Sequence, residues 1–202
     1  VIEESKSESD GEIYSFSNGL SSDNLEILEI PNFGSAMDRF NPDEAAKVRW
    51  TFDGQEIFKS GVRAMAQASA EAIEKSGLSK EDVDIFIPHQ ANIRIVEALE
   101  KKLGLPNATT IKKVHRYGNT SAASIPTAFV DALEEGEIKG GEIAVFTAVG
   151  AGLAWGACAV RLGDRVTPIN KSDAKLPDFD GTATDTIKRA IEYQVPDKLD
   201  KI

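Results

Sequence analysis

Cysteine is nearly absent from this chain, with Cys158 the only one among 202 residues. A disulfide framework needs at least two, so a stapled secreted scaffold is excluded and a cytoplasmic setting is expected. There is no excess of base either. The net charge is −10, which argues against nonspecific nucleic-acid binding. Long apolar runs are scarce. Only Ile143 to Val160 goes eighteen residues without a charge, the lower limit for a spanning helix. Gly150, Ala151 and Gly152 interrupt its centre, so two buried strands joined by a tight turn fit better, and no membrane partner is expected. Finally, no initiating methionine is present: the chain opens on Val1 and reaches Met37 first. It is therefore read as the carboxyl-terminal part of something longer.

The hydrophobic content of 41% is enough for a real core. The first fifty residues are polar and turn-rich, with short strands expected around Tyr14–Phe16 and Leu25–Leu28. Gln55–Ser76 reads as a helix: Ile57, Phe58, Val62, Met65, Ala72 and Ile73 keep helical spacing, and Gly77 is a natural stop. Ser79 with Asp82 predicts a capped turn. Val83–Pro88 is a buried strand. A second helix begins near Asn92, with Ile93, Val96, Leu99 and Leu103 as its apolar stripe and Gly104 as its end. A strand over Thr109–Val114 and a helix over Ser121–Glu135 follow, Pro126 being tolerable near a helix start. Glu142–Val149 and Leu153–Leu162 form a closing hairpin. That order is a layered α/β unit. Residues 163–202 form a polar tail with one possible helix at Thr184–Gln194, and no repeat is present.

Polar side chains collect where two strands feed helices, at Pro88-His89-Gln90-Ala91-Asn92-Ile93-Arg94 and at Tyr117-Gly118-Asn119-Thr120-Ser121-Ala122-Ala123-Ser124. The crevice beyond the carboxyl ends of strands is where α/β folds bind ligands. A lone histidine behind an apolar strand is more often structural than catalytic. Here a buried neutral imidazole could donate through Nε2 to a substrate oxygen. Asn119 is equally good as a helix cap, and so is Asn92. Thr120 or Ser121 could take the capping role and free Asn119. Capping and catalysis coexist only if different atoms of the side chain serve each. His115 sits on a polar stretch and is expected to be exposed. Cys158 lies inside a predicted strand, away from any helix N-terminus, and reads as a small buried hydrophobe.

This pair of motifs resembles the β-ketoacyl-[acyl-carrier-protein] synthase III family of the thiolase-like superfamily. Phe52-Asp53-Gly54-Gln55-Glu56-Ile57-Phe58-Lys59 and Gly150-Ala151-Gly152-Leu153-Ala154-Trp155-Gly156 add to the likeness, which covers nearly all of residues 1–162. The resemblance implies the carboxyl-terminal half of the layered thiolase-like fold, a mixed sheet with packed helices. On this basis residues 1–50 continue from an amino-terminal half, 51–162 are the catalytic domain and 163–202 outrun the family's usual ending. It implies a decarboxylative Claisen condensation between an acyl-CoA starter and malonyl-acyl carrier protein, initiating fatty-acid synthesis. His89 and Asn119 would hold the malonyl thioester carbonyl. Backbone at Ala151 would complete an oxyanion hole. Gly54, Phe58 and Asn92 would line a pantetheine tunnel. Lys59, Gln90, Ala91, Asn92, Ile93, Arg94, Lys101 and Lys102 would bind acyl carrier protein.

The family's nucleophilic cysteine lies in its amino-terminal half and has no counterpart here, so this chain alone is expected to be inactive. No metal or cofactor is implied beyond the substrates, and the full-length protein is expected to be a homodimer. Charge agrees with an acidic partner. Residues 1–48 hold eleven acids and three bases, for −8, whereas 92–116 hold six bases and two acids, for +4. An ordinary solvated helix face explains that patch about as well on charge alone. Two rival readings stand: a condensing enzyme of secondary metabolism, or a non-catalytic subunit that docks a carrier protein.

Overall fold

A computed structural model describes residues 7, 9–23, 25–30, 51–168 and 181–194. Residues 1–30 with 50–169 form one compact unit, and 31–49 with 170–202 form another. Expectations for residues 31–50 and for most of the tail lie outside the described residues.

The first unit is built on a five-stranded sheet. Its strands are β1 (Glu12–Leu20), β4 (Ile85–Pro88), β5 (Thr109–Thr110), β6 (Ile143–Gly150) and β7 (Ala154–Arg161). They lie in the order β1-β7-β6-β4-β5. β4 runs parallel to β5 and β6, while β6–β7 and β7–β1 are antiparallel. The strand expected early in the chain is thus the edge of this same sheet. β2 (Leu28–Glu29) and β3 (Thr51–Phe52) form a separate two-stranded ribbon.

Helix α1 (Gly54–Lys75) starts where Asp53 Oδ1 accepts from the amides of Gln55 and Glu56 at 3.1 and 3.0 Å, satisfying two orphan donors. Gly77, at φ +74°, turns the chain away beyond its end. The apolar face of α1 packs Val62, Met65, Ala66 and Ile73 with Ile95 and Leu99 of α2 (Ile93–Leu103) against Phe86, Val145 and Ala159 of the sheet. The opposite sheet face carries Ile85, Ile87 and Ala144, covered by Ala128, Ala132 and Leu133 of α4 (Ser124–Glu134). Each fully buried aliphatic side chain here is worth roughly 1.5–3 kcal/mol relative to exposure.

α4 covers only part of that second face. The register pairs Phe16 with Cys158, Cys158 with Phe146, and Phe146 with Ile87, so these four share one face. Along β1 the row is open: Phe16 is 63% exposed and Leu20 73%. The reverse face of β1 is tied to α1 through Ser15 Oγ, which donates to Ala72 O.

Three expectations differ. The strand expected over Leu25–Leu28 is a 3₁₀ turn at Leu25–Ile27, with only Leu28–Glu29 extended. The predicted strand over 109–114 pairs only at Thr109–Thr110, because a side chain takes over the bonding beyond it, as described below. The predicted helix over 121–135 begins as a 3₁₀ turn at Ser121–Ala123 and becomes α-helical at Ser124. Of the second unit, α5 (Ala183–Gln194) is described, with Thr182 and Asp185 bonded reciprocally at its start. Among the described residues no helix is long and apolar enough to cross a membrane.

Candidate functional site

β4 is a wholly buried strand, Ile85-Phe86-Ile87-Pro88, that delivers His89 to the carboxyl edge of the sheet. The His89 amide donates to Thr147 O of β6 at 2.7 Å, extending the parallel ladder by one bond. The ring is partly buried, and that burial pushes its pKa below the ordinary histidine value of 6.5, favouring the neutral imidazole. Nδ1 lies 2.6 Å from Ser124 Oγ, the first residue of α4, which itself is 3% exposed.

Asn119 sits between α3 (Val114–Tyr117) and the 3₁₀ turn that leads into α4. It is exposed, and its Oδ1 accepts from the Ser121 amide at 2.9 Å. Neither Thr120 nor Ala123 caps through a side chain. The expectation that Thr120 or Ser121 would relieve Asn119 is therefore corrected: Asn119 makes the turn itself. Its oxygen is used locally, which leaves the Nδ2 hydrogens as its outward donors.

The loop carrying Asn119 is braced on both sides by ion pairs. Arg116 Nη1 and Tyr117 Oη on α3 both donate to Asp131 Oδ1 on α4, at 2.6 and 2.8 Å. Lys113, buried beneath them, bonds Glu135 and Glu137 at 2.5 and 2.7 Å. Burial alone would lower the pKa of Lys113, but these two carboxylates outweigh it and hold the ammonium above its ordinary range. Ser124 thereby ties the histidine loop to the helix that the asparagine loop feeds. Ala151 is exposed at the tip of the β6–β7 turn, beyond the same carboxyl edge.

Gln90 is the clear correction among the docking candidates. It is 2% exposed. Its Nε2 donates to Pro88 O and Ile111 O at 2.7 and 3.2 Å, and its Oε1 accepts from the Lys113 amide at 2.9 Å. The carboxamide thus stands in for a strand, bonding the segment after β5 where the ladder stops. A carrier protein cannot reach it.

The +4 segment also shrinks. Lys112 pairs with Glu100 at 2.6 Å, and Lys113 and Arg116 are committed to the α4 carboxylates. Arg94, Lys101 and Lys102 remain on the exposed surface of α2. Asn92 caps that helix, its Oδ1 accepting from Ile95 N at 3.0 Å.

Gly54, Gln55, Phe58 and Lys59 of α1 meet Asn92, Ile93 and Arg94 of the α2 start around one groove of about 870 Å³. Candidates from two stretches some forty residues apart in sequence are thus brought to one place. His89 does not line this groove; Asn92 is the nearest lining residue to it in sequence. Cys158 lies on the α4 side, beside a second hollow lined by Phe16, Ile125 and Phe146. Burial raises its thiol pKa, which suits a core residue and not a nucleophile. His115 is exposed, as expected. Ser124 was present in the asparagine motif but carried no signal of its role, since 35 residues separate it from His89.

Comparison with known proteins gives these loops a context. Residues 73–162 match the family described as 3-Oxoacyl-[acyl-carrier-protein (ACP)] synthase III C terminal. A β-ketoacyl-[acyl-carrier-protein] synthase III 2 of Vibrio cholerae is 48% identical over 177 residues, 87% of this chain and 48% of that one. The crystal structure of a 3-oxoacyl-[acyl-carrier-protein] synthase III from Aquifex aeolicus aligns with a TM-score of 0.64 at 37% identity, over 77% of this chain and 46% of its own. One from Thermus thermophilus aligns at 0.62 and 37% identity, over 75% and 46%. The chain spans about half the length of the curated relatives it matches.

Proposed function

We propose, from the match of residues 73–162 to the family described as 3-Oxoacyl-[acyl-carrier-protein (ACP)] synthase III C terminal, that this chain supplies the malonyl-activating half of such an enzyme. The whole protein would condense an acyl-CoA starter with malonyl-acyl carrier protein, initiating a fatty-acid chain. It would work in the cytoplasm, as a homodimer.

The supporting observation is an imidazole whose burial favours its neutral form and a carboxamide whose oxygen is already occupied, both presented beyond one sheet edge. Each can direct an N–H at a thioester oxygen. As the malonyl carboxylate leaves as carbon dioxide, the electrons of its bond move onto the thioester, and the oxygen becomes an enolate. Donors already in position stabilise that charge without reorganising. The carbanion carbon then attacks an acyl-cysteine supplied by the other half of the protein, expelling the cysteine thiolate. Cys158 is not that cysteine.

The groove between the starts of α1 and α2 suits a pantetheine arm. Its walls are largely apolar, and Lys59 and Arg94 stand with it as exposed cations for the acidic carrier protein. Docking is assigned to Lys59, Ile93, Arg94, Lys101 and Lys102, with Ala91 and Asn92 contributing backbone and cap; Ala151 backbone completes the acyl oxyanion hole.

The test is malonyl decarboxylation by the complete protein carrying His89→Ala or Asn119→Ala. Decarboxylation should fall while acyl transfer from acyl-CoA to the cysteine persists. Slow acyl loading with normal decarboxylation would refute the assignment.

A further inference from the structure

We propose that Ser124 is the positioning residue that sets the tautomer of His89, its hydroxyl donating to Nδ1 so that the single ring proton sits on Nε2. The inference rests on the carbonyl-gripping reading above and deepens it, since only an Nε2–H can serve the oxyanion once Nδ1 is engaged by the serine.

The argument is a proton count. A serine hydroxyl has one proton to give and two lone pairs to receive. Ser124 Oγ has two recorded partners. One is the Gln90 amide at 3.2 Å, which can only donate; the other is His89 Nδ1 at 2.6 Å. At 3% exposure the hydroxyl has little access to solvent as a substitute. If Nδ1 carried the proton, Oγ would receive two donors and its own hydrogen would have no recorded acceptor. If Nδ1 is bare, the amide fills one lone pair, the hydroxyl proton goes to Nδ1, and every group is satisfied. Buried polar groups settle on the second arrangement.

The arrangement is held rigidly. The amide that donates to Oγ belongs to Gln90, whose side chain is pinned to Pro88, Ile111 and Lys113. Ser124 itself is locked as the first residue of α4, where Ala128 and Ala132 are buried against the sheet. Burial favours the neutral ring, which has one proton to place. The choice of nitrogen is therefore made by the fold before any substrate arrives.

The chain makes a direct measurement practical because it has two histidines. Nitrogen-15 NMR of the labelled 202-residue chain, in a Phe16→Ser, Leu20→Ser background that keeps the open β1 row from associating and above the titration range of His89, reads the protonation of both ring nitrogens. His115→Gln identifies the second imidazole. The expected wild-type result is a protonated Nε2 and a bare Nδ1 at His89. Ser124→Ala should lose that preference and give a mixture of tautomers, and Ser124→Thr, which keeps the hydroxyl, should recover it. A proton on Nδ1 in the wild type overturns the proposal, and so does an unchanged tautomer in Ser124→Ala. Should Ser124→Ala fail to fold, the wild-type tautomer still decides. Failure of the functional reading would look different: the tautomer would be as proposed, yet His89→Ala in the complete protein would decarboxylate malonyl thioester at the normal rate.

Discussion

Gln90→Ala should cost the protein much of its stability without touching carrier recognition. The substitution removes three hydrogen bonds to backbone: those to Pro88 O, Ile111 O and Lys113 N. A bond lost between neutral groups nets about 1 kcal/mol, and a buried donor left without a partner costs about 1–3. The Lys113 amide falls in the second class, since the ladder to β4 ends at the Ile111 amide and the Lys113 amide donates to Gln90 Oε1. These sum to about 3–5 kcal/mol before the further cost of the void left by the side chain, against about 5–15 for a typical domain. Urea unfolding followed by tryptophan fluorescence measures it, because Trp155 is half-buried in β7. Gln90→Met keeps most of the volume and isolates the hydrogen-bond share. A midpoint shift worth under about 0.5 kcal/mol, joined to a raised KM for malonyl-carrier protein, would refute the reasoning and return Gln90 to the docking surface.

In the complete protein, His89→Ala and Asn119→Ala should each slow malonyl decarboxylation by roughly 10²–10³, the usual effect of losing one oxyanion donor, with His115→Ala nearly silent in the same assay. The acid limb of the decarboxylation rate should fall below pH 6.5, because burial depresses the pKa of His89. The linked stability has a fixed sign: the folded state binds fewer protons than the unfolded one between the two pKa values, so the contribution of His89 rises with pH through that window and is lost below it. A limb above 6.5 would show that His89 is not the titrating group. Arg94→Glu should raise KM for malonyl-carrier protein more than for acyl-CoA, and the difference should shrink at high salt, since exposed charges are screened over about 8 Å at physiological ionic strength. Equal effects on both substrates would point to misfolding. The 202-residue chain should self-associate through the open row of β1, and Phe16→Ser with Leu20→Ser should reduce the associated fraction in light scattering.

The elements were legible where local rules and burial agreed. The glycine that ends α2 is as predicted, and Val96, Leu99 and Leu103 of its stripe are buried, but Ile93 is exposed and Ile95 takes its place in the core. The closing hairpin needed only its central glycines and flanking apolar runs. The strand after residue 108 was overestimated for a physical reason: Ile111 is buried and its amide still bonds Phe86 O, but from the Ile111 carbonyl onward a distant glutamine side chain supplies the bonds. A propensity argument sees the residues and not their partners. The same limit hid Ser124, whose role depends on the parallel pairing of β4 with β6 and on the docking of α4.

Charge was the least legible property, and Lys113 shows why. In a tally of residues 92–116 it counts as one of six cations available to an acidic partner. In the fold it is 6% exposed and surrounded by Asp131, Glu135 and Glu137, all from α4 or the turn after it. Removing a buried charge from its partners costs more than the pair gains by forming, so such a lysine is fixed structure. Arg116 is half-exposed but shares the same carboxylates, and Lys112 is neutralised by Glu100. The cations left over are Arg94, Lys101 and Lys102, and they lie along the one helix whose first turn also borders the groove. Lys59 reaches the same groove from α1, a segment the tally did not include. A sum over a stretch of sequence therefore overstated the amount of free positive charge and missed its geometry: Arg94 and Lys59 border the groove proposed for the carrier's arm, while Lys101 and Lys102 lie at the far end of α2.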